Sequence, residues 1–342
     1  MHCTDHNQQS ISTNMPPSPL TTIYKEINWS KISVDIYLPP PPQNASHDHK
    51  YPVLINIHGG AFMLGHSRMV SMPQVDDCLE RGWIVAVPNH RLCPGVDVLN
   101  GPVQDMRDFL AWIYAGDLER FLGEQSPTQD ERNYSVDLDR VMAFGTSSGG
   151  YLALALGYDT PRPPRAILNF YGAVHFTHPS WRKPLPHVKA NLPPNGFPQD
   201  FLQQVYDEYP IPTTSGISLE GQQSNRPDFS RPRDAFALTQ IANGTVLDAI
   251  FPASAGRLED IDPVTRVEAG FPPTFIVHGD CDRMVPVDVS RRLLEVLREK
   301  GVECGIVEVE GEDHTFALGM EVGGTTWRRS REGFEWLESV IR

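Results

Sequence analysis

Short apolar runs rich in β-branched residues alternate with segments of helical spacing, and this alternation limits the possible folds more than any other feature of the chain. The runs are Val53 to Ile57, Trp83 to Val87, Val141 to Phe144, Ala166 to Phe170 and Thr274 to Val277, with an alternating run from Gly305 to Val309. Asp105 to Tyr114 carries Met106, Phe109, Leu110 and Ile113 on one helical stripe. Ser290 to Lys300 does the same with Leu293, Leu294 and Leu297, and Gly301 stands where a C-terminal helix glycine belongs. The last seventeen residues place Trp327, Phe334, Leu337 and Ile341 at helical spacing. Runs this apolar must be covered on both faces, which predicts an α/β sandwich: a mainly parallel sheet between helices.

Two stretches break the rhythm. Pro39 to Pro42 and the polar run Gln43 to Lys50 read as a loop, preceded by the half-buried strand pattern Val34 to Leu38. From about 175 to 265 prolines and aromatics mix: eleven of the 31 prolines lie between Pro161 and Pro212, among Phe176, Trp181, Phe197, Phe201, Tyr206 and Tyr209. So many aromatics fit an inserted cap that packs over the sheet and lines a pocket, the plainer alternative being an irregular structural excursion. The expected organisation is an N-terminal arm over 1–50 whose first 30 residues join the cap, a catalytic domain over 51–174 and 266–342, and the cap over 175–265.

Composition excludes several classes of function. Hydrophobic residues make up 40% of the chain and charged residues 21%, enough apolar surface for a packed core. The net charge of −14 repels phosphate backbones and anionic lipid, so nucleic acid is not an expected partner. No run reaches the roughly 18 apolar residues of a membrane span, and Met1 to Asn14 lacks a secretory profile. The chain therefore reads as soluble and cytoplasmic, which leaves the glycosylation patterns at Asn28 and Asn44 without consequence. Cys3, Cys78, Cys93, Cys281 and Cys304 are scattered and read as free thiols. No ligand spacing points to a metal, and His47-Asp48-His49 reads as a solvated loop.

The chemistry concentrates in four segments. Gly145-Thr146-Ser147-Ser148-Gly149-Gly150 lies between an apolar strand and a helix-forming run, the context in which G-x-S-x-G presents an exposed serine. Ser147 is the candidate nucleophile. Gly145 and Gly149 are small because a side chain there would meet a neighbouring strand or helix. Ser148 contributes its backbone N–H at a helix N-terminus, where negative charge is favoured. His58-Gly59-Gly60-Ala61-Phe62 ends a strand in small residues that can turn N–H groups toward a pocket; an ordinary Gly-Gly turn is the alternative. Pro273 to Pro286 runs a strand into an acidic loop holding Asp280 and Asp282. Asp282 is preferred as the carboxylate that orients a histidine, with Asp280 as a turn residue. His314, in Gly311 to Phe316, completes the chain order Ser, Asp, His.

These segments resemble the α/β-hydrolases, and most closely the hormone-sensitive-lipase-type esterases. The resemblance rests on His58 to Phe62, on Asn89-His90-Arg91-Leu92-Cys93-Pro94-Gly95, on Gly145 to Gly150, on Asp282 and on Gly311 to Phe316, and it covers about 51–342 apart from the cap. Ala61 stands in place of a third glycine, and Thr146 and Ser148 replace the usual Asp and Ala. The strand end His278 to Pro286 is more like that of prolyl-oligopeptidase-type peptidases and dienelactone-type hydrolases.

The resemblance implies a cofactor-free serine hydrolase. Ser147 would attack the carbonyl of a small to medium apolar ester, with His314 as base and Asp282 orienting it. The N–H groups of Gly60, Ala61 and Ser148 would form the oxyanion hole, and His58, Gly59, Gly145 and Gly149 would support the turns. Two alternatives remain. One is a biosynthetic tailoring enzyme (thioesterase, lactonase, amidase or cyclase) using the same residues. The other is a non-catalytic binding protein like the plant gibberellin receptors, which lose the histidine that is present here.

Overall fold

The computed structural model describes residues 18–41, 49–125, 134–217 and 227–342. Cys3, the Met1 to Asn14 segment, the site at Asn44 and most of the Gln43 to Lys50 loop, His47 and Asp48 included, lie outside the described residues. The apolar runs become β3 to β8 of one eight-stranded sheet, whose strands are β1 (Leu20–Ile27), β2 (Ser30–Tyr37), β3 (Lys50–Ile57), β4 (Ile84–Pro88), β5 (Ser135–Thr146), β6 (Ile167–Phe170), β7 (Thr274–Gly279) and β8 (Cys304–Val309), in spatial order β1-β2-β4-β3-β5-β6-β7-β8. Every pair from β4 through β3 to β8 is parallel, while β1 and β2 are antiparallel additions at one edge.

Helices complete the crossovers: α1 (Met72–Glu80), α2 (Gln104–Tyr114), α3 (Asp117–Glu124), α4 (Ser148–Ala155), α5 (Pro186–Lys189), α6 (Gln199–Gln203), α7 (Pro232–Asn243), α8 (Val246–Ile250), α9 (Pro263–Arg266), α10 (Val287–Glu299), α11 (Phe316–Gly319) and α12 (Thr325–Ile341). One apolar core lies between the sheet and α2, α4 and α10, with α7 and α8 continuing it outward. The other joins Leu54, Val85, Phe144 and Phe170 to α1 and α12 through Leu79, Phe334 and Leu337. Helix α4 is buried along its whole length and so belongs to the interior. Among the described residues no helix is long and apolar enough to cross a membrane.

The N-terminal arm differs from expectation. Residues 20–37 form the β1–β2 hairpin of the sheet, with Val34 to Tyr37 paired against Val85 to Pro88. The pattern of β1 was hard to read because an edge strand buries little: Tyr24 is its one buried side chain, and its hydroxyl donates to the Asn89 carbonyl at 2.7 Å. The hairpin still touches the long β6–β7 connection, through Ser30 Oγ to the Ile211 carbonyl at 2.8 Å. Of the cysteines, Cys78 and Cys93 are buried, Cys304 is half-buried and Cys281 is exposed, all with free thiols.

Candidate active site

The carboxyl ends of β3, β5, β7 and β8 converge on one edge of the sheet, and each delivers one of the predicted segments. At the end of β5 the backbone reverses into α4 with Ser147 at φ 51° and ψ −121°, a left-handed strain stored at one residue. The glycines on either side make this turn possible. A Cβ on Gly145 would lie 2.1 Å from the Gly149 carbonyl oxygen, and one on Gly149 would lie 2.1 Å from the Ile57 oxygen and 2.6 Å from that of His58. Elbow and β3 are thus packed backbone to backbone.

Ser147, Asp282 and His314, scattered along the sequence, meet here and are all buried. Ser147 Oγ is 3.0 Å from His314 Nε2, and His314 Nδ1 is 2.6 Å from Asp282 Oδ2. The backbone N–H groups of Met284 and Val285 both donate to Asp282 Oδ1 at 2.8 Å. Burial alone would raise the Asp282 carboxyl, but the charge interaction with His314 and hydrogen bonds from His278 and His314 outweigh it and hold the group well below the usual carboxylate range. An ionised Asp282 accepts from Nδ1–H, which leaves the Nε2 lone pair to accept from the Ser147 hydroxyl.

Asp280 is exposed and accepts from Gly311 N at 2.7 Å, so it ties the β7 loop to the loop bearing His314. Arg283 reinforces the same junction, donating its N–H to Asp313 Oδ1 at 2.9 Å and its Nε to Oδ2 at 2.6 Å.

The loop after β3 faces Ser147. Gly60 has φ 121°, Ala61 53° and Phe62 65°, three successive residues in left-handed territory. The amides of Gly60, Ala61 and Ser148 donate to no described backbone carbonyl outside the helices and strands, while the Gly60 carbonyl accepts from Met63 and Leu64. Beneath the loop, His58 stacks on His90 with ring centres 4.8 Å apart and an interplanar angle of 13°. Burial and the neighbouring His90 lower the His58 imidazole to about 3, so it stays neutral, and its Nδ1 lies 2.8 Å from the Gly59 carbonyl oxygen.

Above Ser147 opens an apolar cleft of about 530 Å³, its mouth included. Ala61, Phe62, Met284 and Val285 line it from the sheet side, and Trp181, Leu185, Ile241 and Val246 from the β6–β7 connection. Those four residues carry no motif. Their spacing in sequence gave no sign that they share one wall.

His278 also escaped the sequence reading, being masked as one more residue of an apolar strand. Its Nε2 lies 3.1 Å from Asp282 Oδ2 and 2.8 Å from the Val285 carbonyl oxygen, and its Nδ1 lies 2.7 Å from Ser290 Oγ. A second buried imidazole thus meets the same carboxylate oxygen as His314. Among the described residues no group of three or more His, Cys, Asp or Glu is arranged to hold a metal.

The sheet order, the strained serine turn and the crossovers define the class: the chain has the α/β-hydrolase fold. Residues 34–177 match the BD-FAE family model, a hydrolase-type domain. Esterase 2 of Thermogutta terrifontis phosphoramylated by tabun superposes with a TM-score of 0.60 at 17% identity, covering 95% of this chain and 96% of that one. The butyrate-bound form of the same esterase gives 0.57 at 18% identity, with 95% of each chain covered. Among curated proteins, the chain is 29% identical to the non-reducing polyketide synthase ausA of Aspergillus calidoustus and 29% identical to 5-methylorsellinic acid synthase of Aspergillus terreus, over 97% of its own length in both. It spans only 14% of the length of either relative.

Proposed function

We propose that this protein is a serine hydrolase that cleaves a carboxylic ester through an acyl-enzyme on Ser147. The observation that carries the reading is the hydrogen-bonded chain from Ser147 through His314 to an ionised Asp282, set at the floor of an apolar cleft. Ser147 Oγ attacks the ester carbonyl as its proton passes to His314 Nε2. The N–H groups of Gly60, Ala61 and Ser148 receive the developing oxyanion, at about 3–4 kcal/mol per donor in comparable sites. His314 then returns the proton to the departing alkoxide, and water, deprotonated by the same imidazole, hydrolyses the acyl group from Ser147.

Residues 175–265 act as the cap in this reading, and their apolar wall supports a small to medium apolar acyl or alcohol group. The fold-level likeness to an esterase carried as organophosphorus and butyrate complexes fits the same chemistry. A second reading keeps the residues and changes the substrate. The curated relatives are polyketide synthases, which favours a thioester or another biosynthetic acyl intermediate in place of a simple ester.

Turnover of p-nitrophenyl acetate tests the common core. The wild type should show an acyl burst and label with a fluorophosphonate, and Ser147→Ala should lose both. Unchanged turnover in Ser147→Ala removes Ser147 from the mechanism. A wild-type protein inert to the fluorophosphonate favours a binding protein.

A further inference from the structure

One buried cation has no part in the mechanism above. Arg233, in the first turn of α7, is 6% exposed and lies against the loop that follows β3. Its Nη1 donates to the Met63 carbonyl at 2.8 Å and to the Cys93 carbonyl at 2.6 Å. Its Nε donates to Glu208 Oε2 at 2.9 Å, and Nη2 pairs with the same oxygen. One guanidinium thus joins three pieces of chain: the loop carrying Gly60 and Ala61, the His90 to Gly95 segment, and the β6–β7 connection through Glu208.

The loop needs such an anchor. Three successive positive φ values are a conformation that Ala and Phe do not hold unaided, and the strain persists only if the surroundings impose it. Inside, Phe62 packs edge-on against Tyr151 of α4 at 5.3 Å, and its carbonyl accepts from Cys93 N at 2.9 Å. Outside, Ser215 N donates to the Gly65 carbonyl at 2.9 Å and Gly65 N donates to Ser215 Oγ at 2.7 Å. Arg233 is the charged member of this outer clamp. Its planar fork reaches carbonyls and a carboxylate at once, as a point-charge ammonium cannot.

We infer that Arg233 is a positioning residue: through the Met63 and Cys93 carbonyls, the cap holds the Gly60–Ala61 amides in the geometry that receives an oxyanion. The inference rests on the reading of Ser147 as nucleophile. The far end of the same helix reinforces it, since Ile241 lines the cleft about 12 Å along the axis at 1.5 Å per residue. One rigid element therefore touches both the acyl wall and the oxyanion loop.

Two readouts on Arg233→Met and Arg233→Lys test this. The first is hydrogen–deuterium exchange of the peptide spanning 60–65, which needs no substrate. Exchange there should be at least tenfold faster in Arg233→Met, while peptides from β5 and α12 keep wild-type rates. The second is steady-state hydrolysis of p-nitrophenyl acetate, whose acetyl group is too small to depend on the cap wall. In Arg233→Met, kcat should fall 30- to 100-fold with KM within threefold. Arg233→Lys, which keeps one carbonyl contact, should fall five- to twentyfold and serves as the folded variant should the Met substitution fail to fold.

Wild-type exchange at 60–65 in both variants overturns the inference, as does a kcat within threefold of wild type. Turnover that survives Ser147→Ala sinks the hydrolase reading instead, and the exchange experiment still decides what Arg233 holds.

Discussion

Asp282→Asn probes the site most sharply, because the structure dictates how the amide must sit. Two backbone N–H groups, Met284 and Val285, converge on Oδ1 at 2.8 Å. The asparagine oxygen must stay on that side, since an NH2 there would face two donors and forfeit two hydrogen bonds, at roughly 1–3 kcal/mol each. The NH2 group is then left facing His314 Nδ1, 2.6 Å from the oxygen it replaces. It donates to Nδ1 and drives the ring proton to Nε2, where it blocks acceptance from Ser147. The productive tautomer is thus disfavoured by about 2–6 kcal/mol, a loss of roughly 30-fold to 2 × 10⁴-fold in kcat at about 1.4 kcal/mol per tenfold. Steady-state hydrolysis of p-nitrophenyl acetate measures this, with circular dichroism confirming the fold. Asp280→Asn, which changes a surface acceptor for Gly311 N, should stay within threefold of wild type. An Asp282→Asn enzyme within fivefold of wild type, or an Asp280→Asn enzyme more damaged than it, would refute the assignment of the orienting carboxylate.

Gly149→Ala should be destabilised by about 3 kcal/mol or more and inactive, because the new methyl group meets the Ile57 and His58 carbonyl oxygens and only backbone movement can relieve it; a urea midpoint equal to wild type would contradict the close packing of elbow and β3. The acid side of the stability curve should carry the mark of His58. Its folded value is depressed to about 3, mainly by burial and then by His90, so the unfolded chain binds a proton first as pH falls. Stability from this group is complete above about pH 6.5 and is lost toward pH 3 at about 1.4 kcal/mol per unit. His58→Gln should flatten the denaturation profile between pH 6.5 and 5 by roughly 2 kcal/mol relative to wild type, and parallel profiles would show that the imidazole does not stay neutral.

Local patterns in the sequence reach a long way in this protein. The apolar runs fall on β3 to β8, and the stripes of Met106, Leu293 and Phe334 fall on α2, α10 and α12, because the periodicity of burial is written directly in the order of side chains. Ser147 was legible for a related reason: a strained turn between strand and helix tolerates only small neighbours, so the turn leaves its own signature at Gly145 and Gly149. The choice of Asp282 over Asp280 was a preference in sequence. Two backbone amides and two imidazoles around Asp282 give that preference its geometric ground.

What only the folded chain decided depends on contacts between segments that share no pattern. Strand β1 joined the sheet although it buries a single side chain, so pairing with β2 rather than amphipathicity placed it. Trp181, Leu185, Ile241 and Val246 became one wall because short helices of the connection fold back over the sheet edge, a matter of packing and not of spacing. His278 read as an ordinary strand residue, and Arg233 carried no signal at all within the 175–265 stretch. Each took its role from the partners that tertiary structure brought within hydrogen-bond reach, and such proximity has no counterpart in a one-dimensional pattern.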